Sequence, residues 1–525
     1  MVAAAACAQG VATVDSSPDD TASVQPAHAA ATSLARPGDL AFATCSGTYA
    51  GYTGSCATLR VPLDWAHPDG RTIPVLVNRI VTSTAPTASR RSLWLLQGGP
   101  GGTAAGLEEI ARGISALVPD LDIYALEHRG VGGSTSLDCP RGEGENTSGA
   151  FTACADALTS TWDPAGLAAF NTTNAAKDLV AAIDVTRASS RAVTANAGGV
   201  FVYGVSYGTY WAHRYLQVAP EGQAAGVLLD SILPPKGQYV SGYDAQFDPQ
   251  AKKLADLCAA DVTCRTYLGS DPWSRLQTIR EHIAEGRCAN TFDTTNRRVL
   301  SVLLESWSGR TYALAAMARY ERCAPEDVIA LQNLIKVLGR HAGVGDGVAS
   351  KPLAYNVLFS ELYESPAPSA ATMNARYASA VFPAGMVELS RGRSEWPLYA
   401  SDEHVGAWAK TSTPMLMMNG TLDCQTPIES AARMGDAFHG PHQTFVAIPN
   451  ANHVVLVQSP VRTPNAPACG MQIAASFLKD PLATPDTSCL ADLAPVTFEG
   501  NAADAARYFG TADAWSTAPA LPAPQ

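Results

Sequence analysis

The stretch Gly204-Val205-Ser206-Tyr207-Gly208 constrains this chain more than any other. It is preceded by Gly199-Val200-Phe201-Val202-Tyr203, which is apolar and rich in strand formers, and followed by Thr209 to Leu216, which reads as a helix. A Gly-x-Ser-x-Gly turn between a buried strand and a helix is a nucleophile elbow. The reason is steric: the serine sits on a tight, strained turn, so the residues two positions away on either side must lack bulk. Its hydroxyl then leaves the sheet edge, and the N–H of Tyr207 points where a negative oxygen would develop. Read as an ordinary surface turn, the same five residues carry no chemistry; their setting between strand and helix favours the elbow.

At 525 residues the chain can bury a large core and form two or more substructures. Its net charge of −12, with no run of Lys or Arg, argues against nucleic acid as a partner, because a phosphate backbone requires a basic face. No apolar run reaches the roughly 20 residues that span a bilayer, so no transmembrane segment is expected. Residues 1–37 are Ala, Ser, Thr, Asp and Pro with almost no large apolar side chains, which predicts a disordered leader or tether. The opening Met1 to Ala8 resembles the end of a bacterial lipoprotein signal, with small residues leading to Cys7 as a candidate lipid anchor; a plain Ala-rich leader is the equal alternative.

Twelve cysteines favour an oxidising compartment, hence a secreted or bacterial cell-envelope location. Near neighbours suggest Cys45 with Cys56, Cys139 with Cys154, Cys258 with Cys264, Cys288 with Cys323 and Cys469 with Cys489, leaving Cys7 and Cys424 over. Spacing alone does not fix connectivity. No CxxC or His/Cys cluster has metal-ligand spacing, so no structural zinc is expected, and no cofactor is assigned.

Along the chain, Cys56 to Leu63 and Thr72 to Val81 read as paired strands with a turn at Asp69-Gly70. The strand Ser92 to Leu96 runs into Gln97-Gly98-Gly99-Pro100-Gly101-Gly102. Such a loop lets backbone N–H groups approach a ligand. It matches neither phosphate-cradling pattern, so the better fit is half of an oxyanion hole, the Gly99 N–H joining that of Tyr207; each donor is worth roughly 3 kcal/mol in a tetrahedral transition state. Leu121 to Leu126 is a strand, followed by Glu127 to Ser134, in which His128 is read as structural. Asn171 to Arg187 is an amphipathic helix and Gly226 to Asp230 a buried strand, so the series alternates β and α and predicts a parallel sheet.

From about 236 to 400 the pattern turns helical, with no clear strand. A cap over an active site and a separate binding domain are both compatible with it. The sheet resumes at Pro414 to Met418 and closes with Thr444 to Ile448. Asp423 follows the first of these strands and His453 the second. The order Ser206, Asp423, His453 is that of elbow hydrolases, with His453 as general base and acid and Asp423 fixing its tautomer.

Gln97 to Gly102, Glu127 to Ser134, Gly204 to Thr209, Leu229-Asp230-Ser231-Ile232-Leu233-Pro234-Pro235 and Gly420-Thr421-Leu422-Asp423 together resemble the α/β-hydrolase family of prolyl iminopeptidases and secreted tripeptidyl aminopeptidases, over about residues 40 to 490. The resemblance implies an α/β-hydrolase fold with a mostly parallel sheet, helices on both faces and a large helical cap. It also implies a serine exopeptidase that acts on free peptide N-termini without a metal. Two positions depart from the family: Gln97 stands where His is usual and Cys424 where Pro is usual. In the family a cap carboxylate holds the substrate ammonium. The segment Pro352 to Tyr363 resembles that part of the cap, which makes Glu361 the candidate; a solvated cap glutamate is the alternative reading, and Glu364 a nearby competitor.

The resulting division is a leader at 1–37, a hydrolase core at 38–235 and 401–495, a helical cap at 236–400 and a C-terminal tail at 496–525. The expected activity is an aminopeptidase on small peptide substrates, acting as a monomer through an acyl-enzyme on Ser206. A carboxylic-ester hydrolase using the same triad is the alternative, since fold alone does not choose between them. A catalytically inactive binding protein is disfavoured by the intact Ser206, Asp423 and His453.

Overall fold

The computed structural model describes residues 40–45, 52–85, 90–139, 149–189, 199–338 and 349–516. The leader at 1–37, Cys7 and residues 517–525 lie outside them. The described chain forms β1 (Ala43–Thr44), β2 (Ser55–Pro62), β3 (Thr72–Val81), β4 (Arg91–Leu96), α1 (Glu108–Leu117), β5 (Leu121–Leu126), α2 (Ala150–Ala168), α3 (Thr172–Ser189), β6 (Val200–Ser206), α4 (Tyr207–Val218) and β7 (Gly226–Ile232). Among the described residues nine helices follow before the next strand: α5 (Tyr243–Ala260), α6 (Val262–Leu268), α7 (Pro272–Ala284), α8 (Val299–Leu304), α9 (Gly309–Arg322), α10 (Pro325–Leu338), α11 (Lys351–Glu361), α12 (Ala370–Ser379) and α13 (Val387–Glu395). The sheet returns as β8 (Met415–Gly420), α14 (Ile428–Ala437) and β9 (Gln443–Ile448), and the described chain ends with α15 (Cys469–Lys479) and α16 (Ala502–Phe509).

The nine strands form one sheet in the order β1-β2-β3-β5-β4-β6-β7-β8-β9. The pairs β1–β2, β2–β3 and β3–β5 are antiparallel; from β5 through β4, β6, β7 and β8 to β9 every pair is parallel. The parallel half is covered on both faces, which explains its unbroken apolar strands. Successive residues point to opposite sides. Val200 and Val202 of β6 join a core with Leu179 of α3 and Trp211 of α4. Phe201, Tyr203 and Val205 join a second core with Ile110 of α1 and Phe477 of α15.

A third core lies among α5 to α10, where Leu276, Leu300, Leu314 and Leu331 meet. Helix α11 belongs elsewhere: Leu353, Val357 and Phe359 pack into the same core as α3 and α4. The segment assigned to a C-terminal tail is also part of the helical layer. Phe498, Phe509 and Trp515 enter the third core, and buried Arg319 donates to the carbonyls of Asp513 and Ala514 at 2.9 and 2.8 Å. An arginine buried in α9 must find acceptors, and residues 511–516 supply them together with the Asp327 carboxylate of α10, at 3.1 Å.

Five disulfides join Cys45–Cys56, Cys139–Cys154, Cys258–Cys264, Cys288–Cys323 and Cys469–Cys489. Cys424 is the free cysteine among the described residues and is buried. Among those residues no helix is long and apolar enough to cross a membrane.

Candidate active site

Ser206 ends β6 and precedes α4 with φ 57° and ψ −126°, outside the regions that L-residues favour. The surrounding glycines are there for contact reasons. A Cβ on Gly204 would lie 2.2 Å from the Gly208 carbonyl oxygen, and one on Gly208 would lie 2.2 Å from that of Leu96. The loop after β4 passes directly over the serine, because a Cβ on Gly98 would come within 2.7 Å of the Ser206 Cβ.

That loop is held from three sides. Gln97 Oε1 accepts the Gly98 N–H at 2.9 Å, and its Nε2 donates to the Thr103 carbonyl at 3.4 Å. Gln97 thus staples the loop that it enters. The Gly101 carbonyl accepts from Ala349 and Ser350, at 2.8 and 3.1 Å, at the start of α11. Gly99 sits at φ 117°, a conformation that glycine adopts freely.

Asp423 follows β8 and is fully buried. One carboxylate oxygen accepts the N–H groups of Gln425 and Thr426, both at 2.9 Å. The other accepts the Thr426 hydroxyl at 2.7 Å and lies 2.8 Å from Nδ1 of His453, which follows β9. Burial lowers the His453 pKa, but Asp423, with smaller contributions from Asp230 and Glu305, more than offsets this and leaves it above the ordinary histidine value. With Nδ1 facing a carboxylate, the neutral imidazole carries its proton there and keeps Nε2 as the base. The sheet's own topology brings Ser206, Asp423 and His453 to the same ends of the parallel strands β6, β8 and β9, where ligands bind in open α/β sheets.

Tyr207 is buried, and its hydroxyl is paired with Thr172 Oγ1 at 2.9 Å and His128 Nε2 at 3.2 Å. Burial drives the His128 pKa down to about 3, so its ring is neutral and acts as a hydrogen-bonding spacer. The neighbouring Arg129 forms a two-pronged pair with buried Asp178, at 2.7 and 2.6 Å. The Glu127 to Ser134 stretch therefore serves packing around the site.

Glu361 does not fit the role of ammonium ligand. It is 6% exposed, and both oxygens are fully engaged. One accepts the Thr172 N–H at 3.0 Å and the Tyr399 hydroxyl at 2.7 Å; the other accepts the Tyr210 hydroxyl at 2.9 Å and pairs with Arg214 at 3.1 Å. Its charge is neutralised inside the protein, where it ties α11 to α3 and α4. Glu364 is likewise bound, to Arg376 and Ser241.

A different carboxylate stands near Asp423 and His453. Glu305 follows α8 and is half-buried. Burial raises its pKa to about 7, opposed by His453 and reinforced by Asp423. Its segment is stitched to the His453 loop on both sides: Asn452 donates to the Leu304 carbonyl at 2.7 Å, and the Trp307 N–H donates to Gln458 at 2.8 Å. Tyr243 of α5 shares this charged neighbourhood, its pKa raised chiefly by burial and then by Asp423 and Glu305. Sequence reasoning passed over Glu305; the available signal was a lone acid ending the apolar run Val299 to Leu304.

Residues 382–489, which contain the acid loop and His453, match the family described as TAP-like protein. No curated protein sequence matches the chain. Among solved structures, an esterase from Thermogutta terrifontis aligns at 15% identity over 81% of this chain and 99% of its own, with a TM-score of 0.31. A proline iminopeptidase-related protein from Thermus thermophilus aligns at 14% identity over 77% and 93%, with a TM-score of 0.30. The esterase RhEst1 from a Rhodococcus species aligns at 15% identity over 78% and 95%, with a TM-score of 0.31. The strand order and the strained turn at Ser206 are those of an α/β-hydrolase fold, and residues 382–489 of the chain are similar to the TAP-like proteins.

Proposed function

We propose that this protein is a serine aminopeptidase that cleaves short peptides from their free N-termini. The observation that carries the reading is the buried 2.8 Å contact between His453 Nδ1 and Asp423, at the same sheet edge as the strained Ser206 turn. In this reading His453 Nε2 removes the Ser206 proton as the hydroxyl attacks the scissile carbonyl. The negative oxygen that forms is met by the N–H groups of Gly99 and Tyr207. His453 returns the proton to the leaving amine, and water then releases the acyl group by the same route in reverse order.

The likeness to TAP-like (tripeptidyl aminopeptidase-like) proteins favours peptides over simple esters. The ammonium of the substrate pairs with Glu305, the half-buried acid beside His453, in place of Glu361. Five disulfides fit an oxidising, extracytoplasmic setting.

The test is turnover of one tripeptide anilide with a free and with an acetylated N-terminus, by the wild type and by Ser206→Ala. The expected result is cleavage of the free form alone, abolished by Ser206→Ala. Equal cleavage of both forms would remove the ammonium site from the reading, and cleavage of acyl esters alone would make the protein an esterase.

A further inference from the structure

The Leu229-Asp230-Ser231 motif takes no part in the reaction above, yet it lies against the histidine loop. Asp230 and Ser231 end β7 and are fully buried. Three consecutive N–H groups after His453 point at them. That of Val454 donates to Ser231 Oγ at 2.7 Å, that of Val455 to one Asp230 oxygen at 2.8 Å, and that of Leu456 to the other at 3.2 Å. The Ser231 hydroxyl in turn donates to Asp230 at 2.9 Å, and the Tyr203 hydroxyl adds a further bond at 3.0 Å.

Two features make this more than loop packing. Val454 has φ 64°, in the left-handed region where a β-branched residue is a true outlier, and Ser231 has φ 58°. Backbone held there persists only where surrounding bonds over-determine it, and the three N–H groups of residues 454–456 are what Asp230 and Ser231 hold. Second, every contact that Asp230 makes here is with a donor. Burial raises its carboxyl pKa, and the bonds from Val455, Ser231, Leu456 and Tyr203 oppose that rise. A carboxylate surrounded by donors alone is held ionised, because a protonated acid would have to donate itself. No Lys or Arg pairs with it among the described residues, and its negative charge favours the protonated form of His453.

We propose that Asp230, with Ser231, is the positioning device for His453: it fixes the strained loop that aims the imidazole and places a second negative charge near it. The inference rests on His453 being the base for Ser206. The charged groups acting on the ring are then Asp423 from the loop after β8, Asp230 from β7 and Glu305 from the end of α8, all favouring the imidazolium. Asp423 sets the tautomer; Asp230 sets where the ring stands.

The experiment follows the rate at which a fluorophosphonate probe labels Ser206 as a function of pH, in the full-length disulfide-bonded protein, since this readout does not depend on the natural substrate. Asp230→Asn, whose side chain keeps the shape but not the charge, is expected to lower the rate about tenfold or more and move the acid limb about one pH unit downward. Ser231→Ala keeps the charge and is expected to lower the rate with the limb unmoved. A folded Asp230→Asn variant with an unshifted limb would overturn the electrostatic part, and a Ser231→Ala variant labelling at the wild-type rate would overturn the clamp. If Asp230→Asn does not fold, Ser231→Ala and Tyr203→Phe decide. Tyr203→Phe removes one of the donors that hold Asp230 ionised and is expected to move the limb downward, in the direction of Asp230→Asn; an unmoved limb counts against the proposal. Labelling that survives Ser206→Ala would instead sink the triad itself, so the two failures are distinguishable.

Discussion

Glu305→Gln separates binding from stability in opposite directions. The carboxyl is half-buried and its pKa stands at about 7, against 4.5 for an ordinary glutamate. A raised acid pKa means that ionisation costs more in the folded state than in the unfolded one. The cost is absent below about pH 4.5, grows between there and about pH 7, and is complete above it. Full burial would make it about 3 kcal/mol, and partial access to water reduces that to about 1–2 kcal/mol. Glutamine carries no such cost, so the variant should melt several degrees higher at pH 8 and about equally at pH 4.5, measured by calorimetry in matched buffers. In the proposed function the same charge pairs with the substrate ammonium, an interaction worth about 1.5–3 kcal/mol in a shielded site. The kcat/KM for a free-amine peptide anilide should therefore fall about 10- to 100-fold at pH 8, mostly through KM. In the wild type about nine-tenths of Glu305 is ionised at pH 8 and about one-tenth at pH 6, so selectivity for the free amine should decline across that interval. A Glu305→Gln variant with unchanged kcat/KM for the free-amine peptide at pH 8 would refute the assignment, whatever its melting temperature.

Other outcomes follow from single contacts. Glu361→Ala removes the nearer partner of buried Arg214 and leaves it only the looser Asp402 carboxylate at 3.8 Å, so stability should drop by about 3 kcal/mol, read as a lower midpoint in urea. Gly208→Ala forces a methyl to within 2.2 Å of the Leu96 carbonyl oxygen, and soluble yield and probe labelling at Ser206 should both fall sharply. Cys424 is buried and burial raises its pKa, so iodoacetamide at pH 8 should leave it unmodified in the folded protein and alkylate it in urea.

Much of this molecule is legible in the sequence because the informative signals are local. The strand Val200–Ser206, the two flanking glycines and the helix from Tyr207 form one continuous stretch whose steric needs select the residues. Asp423 and His453 stand out because each follows an apolar strand. Partnership across the chain is not local. Glu361 meets Thr172, 189 positions away, and its burial is set by three tyrosine and arginine side chains on other elements. The sequence pattern shows an acid on a helix in both cases, so Glu361 and Glu305 cannot be ranked before their neighbours are known. The antiparallel edge β1–β2–β3 and the swap of β4 with β5 likewise depend on pairing rather than on any one strand's composition.

The closure of the helical layer by residues 498–516 bears on the order in which this enzyme becomes itself. Arg319 waits for the Ala514 carbonyl 195 positions further along, and Trp515 fills the space between α9 and the Phe498 carbonyl that accepts its indole N–H at 2.6 Å. Made from its N-terminus, the chain has the Ser206 turn well before the loops of Asp423 and His453, and residues 498–516, which close the layer that carries Glu305, come later still.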